Sequence, residues 1–192
     1  MRIKPLHLTI SLLLLYICAF TASSCKNDNA LMRDIDTLKS APICLDFTGM
    51  EEIKAWGFGN GNGQAPKMKV VTYLDTTECT PCALSKIHLW NALLRRADRY
   101  NGQLAMHFIY CPYDTVSEVA RKNIPSKYKS QTIHFDTCAV FARNNPHIPS
   151  NIMLHTFLLN DSNKVVLVGD PIRNSEIEKL IWKEIEARLG KK

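Results

Sequence analysis

Apolar and polar positions change period several times along this chain, and each change marks an element. Met68 to Leu74 (MKVVTYL) is rich in β-branched and aromatic residues and bounded by turn formers, which predicts a buried strand. From Pro81 the period becomes helical. Ala83, Leu84, Ile87, Trp90, Leu93, Leu94 and Ala97 fall on one arc, with Ser85, His88, Arg95 and Arg96 opposite, so one amphipathic helix is expected. Leu104 to Tyr110 (LAMHFIY) reads as a second strand, followed by a short helix over Val116 to Lys122. Thr132 to Phe135 and Thr137 to Arg143 repeat strand and helix. Met153 to Leu159 and Lys164 to Val168 flank the turn NDSN and predict an antiparallel hairpin. Ser175 to Leu189 closes the chain as a helix, with capping-box spacing at Ser175 and Glu178 and Gly190 at its end. Pro42 to Phe47 (PICLDF) suits a short strand, and GFGNGNGQAP, Gly57 to Pro66, is a loop by composition. Early alternation of strands and helices implies parallel crossovers, to which the late hairpin adds antiparallel strands. The fold class is therefore α/β, a central mixed sheet flanked by helices with a C-terminal hairpin and helix.

The chain has 192 residues, 46% of them apolar, which suits one domain better than two. Its formal charge of +6 includes Arg2 and Lys4, and no dense basic stripe or basic-aromatic alternation follows, so nucleic acid is not an expected partner.

The N-terminus carries an address. Arg2 and Lys4 precede an apolar stretch from Leu6 to Phe20 and small residues to Ser24, the order of a secretory signal peptide. Ala22-Ser23-Ser24-Cys25 resembles the lipobox of bacterial lipoproteins, in which the cysteine becomes the lipidated first residue. The expected organisation is a signal peptide over 1–24, a polar tether over 25–41 and one domain over 42–192. The resemblance implies a lipid-anchored protein of the cell envelope, at the outer membrane on its periplasmic or surface face, attached through Cys25 without a spanning helix.

This address sorts the cysteines. With Cys18 in the leader and Cys25 lipidated, Cys44, Cys79, Cys82, Cys111 and Cys138 remain. Cys79-Thr80-Pro81-Cys82 lies where a strand hands over to a helix. The unpaired N–H groups of a helix N-terminus favour an anion, and the nucleophile of disulfide exchange is a thiolate, so the place suits Cys79 as attacking and Cys82 as resolving residue. Pro81 suits a first helical turn because it lacks an N–H that would be orphaned there. Cys82, about one turn inside, is expected to be the more buried. Glu78 beside Cys79 opposes activation of the thiol. A structural disulfide and half of a metal site are the other uses of a CxxC pair. The first constrains little chain, and the second lacks a nearby Cys/His pair.

KVVTYLDTTECTPCALSKIHLWNALLRR resembles the active-site region of thioredoxin-like proteins, especially TlpA/ResA-like thiol-disulfide oxidoreductases. FDTCAVFARNNPHIPSNIMLHTFLLNDSNKVVLVGDP is similar to that family's Asp, short helix, hairpin and Gly pattern. The resemblance spans about Pro42 to Ile185 and looks closest to thioredoxin-like lipoproteins of Bacteroidota. It implies a thioredoxin-like fold, catalytic Cys79 and Cys82, no cofactor, and thiols or disulfides of envelope proteins as partners. Two positions depart from the pattern. Glu78 stands where an aromatic residue is usual, and the cis-proline place falls on Leu154, with Pro149 out of register. His155 would then lie across from the dithiol, as a proton donor, a metal ligand or a hydrogen-bonded strand residue. Cys111, at the end of the second strand, is expected near Cys82 as an extra redox partner or a small buried residue, and Asp136 could approach the site. Two other readings are a metal-binding module using Cys79, Cys82 and His155, and a non-catalytic lipoprotein that binds an envelope partner.

Overall fold

The computed structural model describes residues 29–54, 65–112 and 128–192. The signal peptide, Cys25, most of the glycine-rich loop and the helix expected over Val116 to Lys122 lie outside the described residues. The chain divides into two units, Met1–Asp36 and Thr37–Lys192. Within the first, residues 29–36 are helical; residues 37–39 at the start of the second are helical too.

The second unit holds a sheet of strands β1 (Glu51–Lys54), β2 (Met68–Leu74), β3 (Leu104–Tyr110), β4 (Gln131–Phe135), β5 (Thr156–Leu159) and β6 (Val165–Val168). Their order among the described residues is β1-β4-β3-β2-β5-β6. β2, β3 and β4 are mutually parallel, whereas β5 pairs antiparallel with β2, and β1 and β6 close the edges antiparallel. The helices are α1 (Thr80–Ser85), α2 (Asn91–Ala97), α3 (Val140–Asn144) and α4 (Ser175–Leu189).

β2 and β3 form where the sequence places them, because their apolar runs are buried on both faces. Side chains alternate across the sheet. Val70 and Phe108 meet the α1–α2 side with Leu84, Trp90, Leu94 and Trp182 of α4, and Trp90 packs edge-on against Phe108 with ring centroids 5.0 Å apart. Tyr73 looks to the opposite side, where its ring lies 5.0 Å from Phe141 of α3. Each large apolar side chain fully buried in this way contributes about 1.5–3 kcal/mol.

The single helix expected from Pro81 to Ala97 is instead α1, a 3₁₀ segment over Ile87–Trp90, and α2. Leu84, Ile87, Trp90 and Leu93 are all buried. A spacing of three drifts around an α-helix but stays on one face of a 3₁₀ helix, so the tighter winding keeps this row on the sheet.

Pro42 to Phe47 is not a strand. Its Ile43 N–H donates to the Asn163 carbonyl (2.9 Å), and its other partner is a side chain: Asn145 Oδ1 accepts from the Cys44 N–H (2.7 Å), while Asn145 Nδ2 donates to the Cys44 carbonyl (3.0 Å). That amide satisfies the backbone without a ladder. Met153 and Leu154, expected within the hairpin strand, form a 3₁₀ turn (Ile152–Leu154) because Asn151 Oδ1 accepts the Met153 N–H and pulls the chain out of extension. The cap of α4 is Asn174, whose Oδ1 accepts from Glu176 and Ile177, in place of the expected Ser175. Gly190 ends that helix at φ 79° as expected.

Candidate functional site

Leu74 ends β2, and Asp75 turns the chain: its Oδ1 accepts from the Thr77 N–H (2.8 Å), an Asx turn that delivers Glu78 and Cys79 to the start of α1. Cys79 is the N-cap of α1 and its sulfur accepts the Cys82 N–H at 3.3 Å. Pro81 occupies the first turn, where no helical partner for its missing N–H would exist. Cys79 and Cys82 are joined as a disulfide with Cα atoms 5.3 Å apart. Both are exposed.

The disulfide opens on a cleft of about 500 Å³. Leu74, Tyr110 and Trp90 give it an apolar floor, Lys86 and Leu89 one lip, and Asp170 and Arg173, beyond β6, the other. Sequence reasoning missed this second lip. The signal available was the Gly169-Asp170-Pro171 turn, which brings the chain back over the carboxyl end of β2 in an α/β sheet.

Glu78 lines the same cleft. Burial raises its carboxyl above the ordinary range and Asp75 adds to this, while His155 and Arg173 oppose it. The partner of Glu78 is His155, whose Nδ1 lies 3.8 Å from Glu78 Oε2. His155 is buried and its Nε2 donates to the Pro149 carbonyl at 2.8 Å. Pro149, out of register with the cis-proline place, thus holds the histidine through its carbonyl. The peptide bonds of the described residues are all trans, and Leu154 is a buried residue of the 3₁₀ turn. The two ring nitrogens of His155 are thus turned to Glu78 and to the Pro149 carbonyl, and His155 is not among the residues that line the cleft. Cys79, Cys82 and His155 do not assemble as a three-ligand set, and no other such cluster occurs among the described residues.

Of the two readings of Cys111, the small buried residue holds, and the redox partner beside Cys82 does not. The Cys111 N–H continues the ladder by donating to the Leu74 carbonyl (2.8 Å), but Tyr110 faces the cleft, so Cys111 faces the other side. It is buried there, its thiol pushed up by burial and by Asp136, with the Ala139 N–H donating to the sulfur. Asp136 serves α3: its carboxylate accepts from Val140 (2.8 Å) and Phe141 (2.7 Å). It does not line the cleft. His88 is exposed, with Nδ1 2.9 Å from the Ser85 carbonyl. His107 and His134, for which the sequence offers no partner, meet each other at 3.1 Å and stack with Phe47.

A dithiol between the end of a central strand and a helix, with two parallel neighbours on one side of that strand and an antiparallel hairpin on the other, decides the architecture. The fold is thioredoxin-like.

No protein-family profile matches the sequence, and no curated protein matches it either. Among solved structures, a thioredoxin-like protein from Bacteroides caccae is similar at 16% identity and a TM-score of 0.39, over 62% of this chain and 41% of that one. This chain thus spans about two fifths of the Bacteroides caccae protein's length. A structure described as a DsbE thiol:disulfide interchange protein from Chlorobium tepidum is similar at 17% identity and a TM-score of 0.43, over 74% of this chain and 95% of that one. Yeast Sco1 with copper bound is similar at 16% identity and a TM-score of 0.40, over 62% and 79%. No helix among the described residues is long and apolar enough to cross a membrane.

Proposed function

We propose that this thioredoxin-like protein is a thiol-disulfide oxidoreductase of the cell envelope, anchored by lipid on Cys25, that exchanges disulfides with exported proteins. The observation that carries the reading is the exposed Cys79–Cys82 disulfide at the start of α1, opening on a cleft. In the reduced protein the Cys79 thiolate attacks a substrate disulfide. A mixed disulfide forms and one substrate thiolate leaves. Cys82 then attacks the Cys79 sulfur, the second substrate thiolate leaves, and the Cys79–Cys82 bond is restored. Two electrons pass from the protein dithiol to the substrate, and the two thiol protons end on its sulfurs. The same steps run backwards oxidise a substrate dithiol.

The α1 N-terminus supports Cys79 as the attacking residue: free N–H groups there stabilise the thiolate, and the Cys82 N–H already points at its sulfur. The apolar floor of the cleft offers a seat for the residues flanking a substrate cysteine. Insulin reduction by the full-length chain in detergent, driven by dithiothreitol, tests the activity. Turnover above the background of the double variant Cys79→Ser, Cys82→Ser is expected, and equal rates would refute it. Loss of fatty-acid incorporation in Cys25→Ala tests the anchor.

A further inference from the structure

Glu78 and His155 approach from opposite directions, one from the turn after β2 and one from the entry to β5, and meet beside the dithiol. A carbonyl only accepts hydrogen bonds, so His155 Nε2, 2.8 Å from the Pro149 oxygen, carries hydrogen, and the neutral ring presents a bare Nδ1. That atom faces Glu78 Oε2 at 3.8 Å, and both are buried with no hydrogen-bond partner. Two bare acceptors facing each other in a low-dielectric setting repel. A proton on either atom turns the contact attractive, as imidazolium with carboxylate or as imidazole with carboxylic acid. The geometry is therefore that of a pair built to hold a proton. Because His155 claims Oε2, a further proton is left to Oε1, on a side chain that lines the cleft with Cys79 and Cys82. The surrounding charges are Asp75 from the same turn, Asp170 and Arg173 across the cleft, and Lys86 at the end of α1; Tyr73 of β2, its ring 5.2 Å from His155, and Tyr110 of β3 are the neighbouring phenols.

We propose that Glu78 and His155 are the proton-holding pair of the dithiol: His155 positions the carboxylate, which takes the Cys82 proton as Cys82 turns nucleophile and passes it to the departing substrate thiolate. This rests on the reading of Cys79–Cys82 as a working dithiol. The balance is complete within that reaction. The Cys82 S–H bond breaks, its proton rests on Glu78, the Cys79–Cys82 bond forms as the mixed disulfide breaks, and the proton ends on the substrate sulfur.

The test uses the reduced full-length chain and an uncharged disulfide, bis(2-hydroxyethyl) disulfide, and follows release of the second mercaptoethanol, which reports ring closure, from acid to alkaline pH. In Glu78→Gln the closure rate at neutral pH falls at least about tenfold and recovers as pH rises, because solvent then removes the Cys82 proton. Glu78→Asp restores part of the rate, and His155→Gln moves the inflection of the profile while closure persists. Superimposable profiles for wild type and Glu78→Gln overturn the proposal. Absence of any Cys79–Cys82 closure in wild type overturns the dithiol reading itself, and this inference with it.

Discussion

His155 Nδ1 and Glu78 Oε2 stand 3.8 Å apart, both buried, at the back of the cleft on which the Cys79–Cys82 disulfide opens. Residues from two distant parts of the chain thus bring together a carboxylate from the position before Cys79 and an imidazole from the position after Leu154.

The first expected outcome concerns pH and stability. Burial, offset in part by His155, holds the Glu78 carboxyl above its ordinary range. The folded state binds this proton more tightly than the unfolded chain does. Its contribution favours folding fully below the unfolded value and is lost as pH rises through the folded one. Glu78→Gln removes that dependence. The melting temperature of the oxidised variant, relative to wild type, is expected to rise between about pH 4 and pH 8. A relative fall over the same interval contradicts the assignment.

The second concerns Asn145. Its side chain accepts from the Cys44 N–H and donates to the carbonyls of Cys44 and Phe141 while almost fully buried. At about 1 kcal/mol per bond, Asn145→Ala is expected to cost about 2–3 kcal/mol in urea unfolding and to open the segment around Cys44 to protease. An unchanged midpoint and digestion pattern count against this anchoring.

The third concerns Gly169, which has φ 135° between β6 and the Asp170–Arg173 lip. A Cβ there would lie 3.0 Å from Ile177 Cδ1, so Gly169→Ala meets both backbone strain and a packed side chain. A loss of about 1–3 kcal/mol in denaturant unfolding is expected, and a neutral substitution would contradict it.

Much of this was legible in the chain, and the failures share causes. β2 and β3 were readable to the residue because both faces of each are buried, which leaves an apolar run that no surface constraint interrupts. β1 was missed: Glu51 and Glu52 on an edge strand give no alternation to detect. The break of the long helix is written in the three-residue spacing of Leu84, Ile87, Trp90 and Leu93, which also fits an α-helical arc over so short a stretch. Cys79 and Cys82 were placed by local rules alone, since a strand end and a helix start are local events. The sheet edge alone brings Cys111 toward Cys82, whereas its parity with Tyr110 turns it to the opposite face. The contact of Glu78 with His155 depends on how β5 returns across the sheet, which no local pattern encodes.

The most direct test of the central claim traps the first step. The reduced Cys82→Ser chain is mixed with one equivalent of bis(2-hydroxyethyl) disulfide, and the adduct is located by peptide mass mapping, which separates it from Cys44, Cys111 and Cys138. A stable mixed disulfide on Cys79 is expected, and in the wild-type chain the same treatment should yield the Cys79–Cys82 disulfide and two released thiols. Adducts confined to Cys44 or Cys138, with Cys79 unmodified, would contradict the reading of Cys79 and Cys82 as the working dithiol.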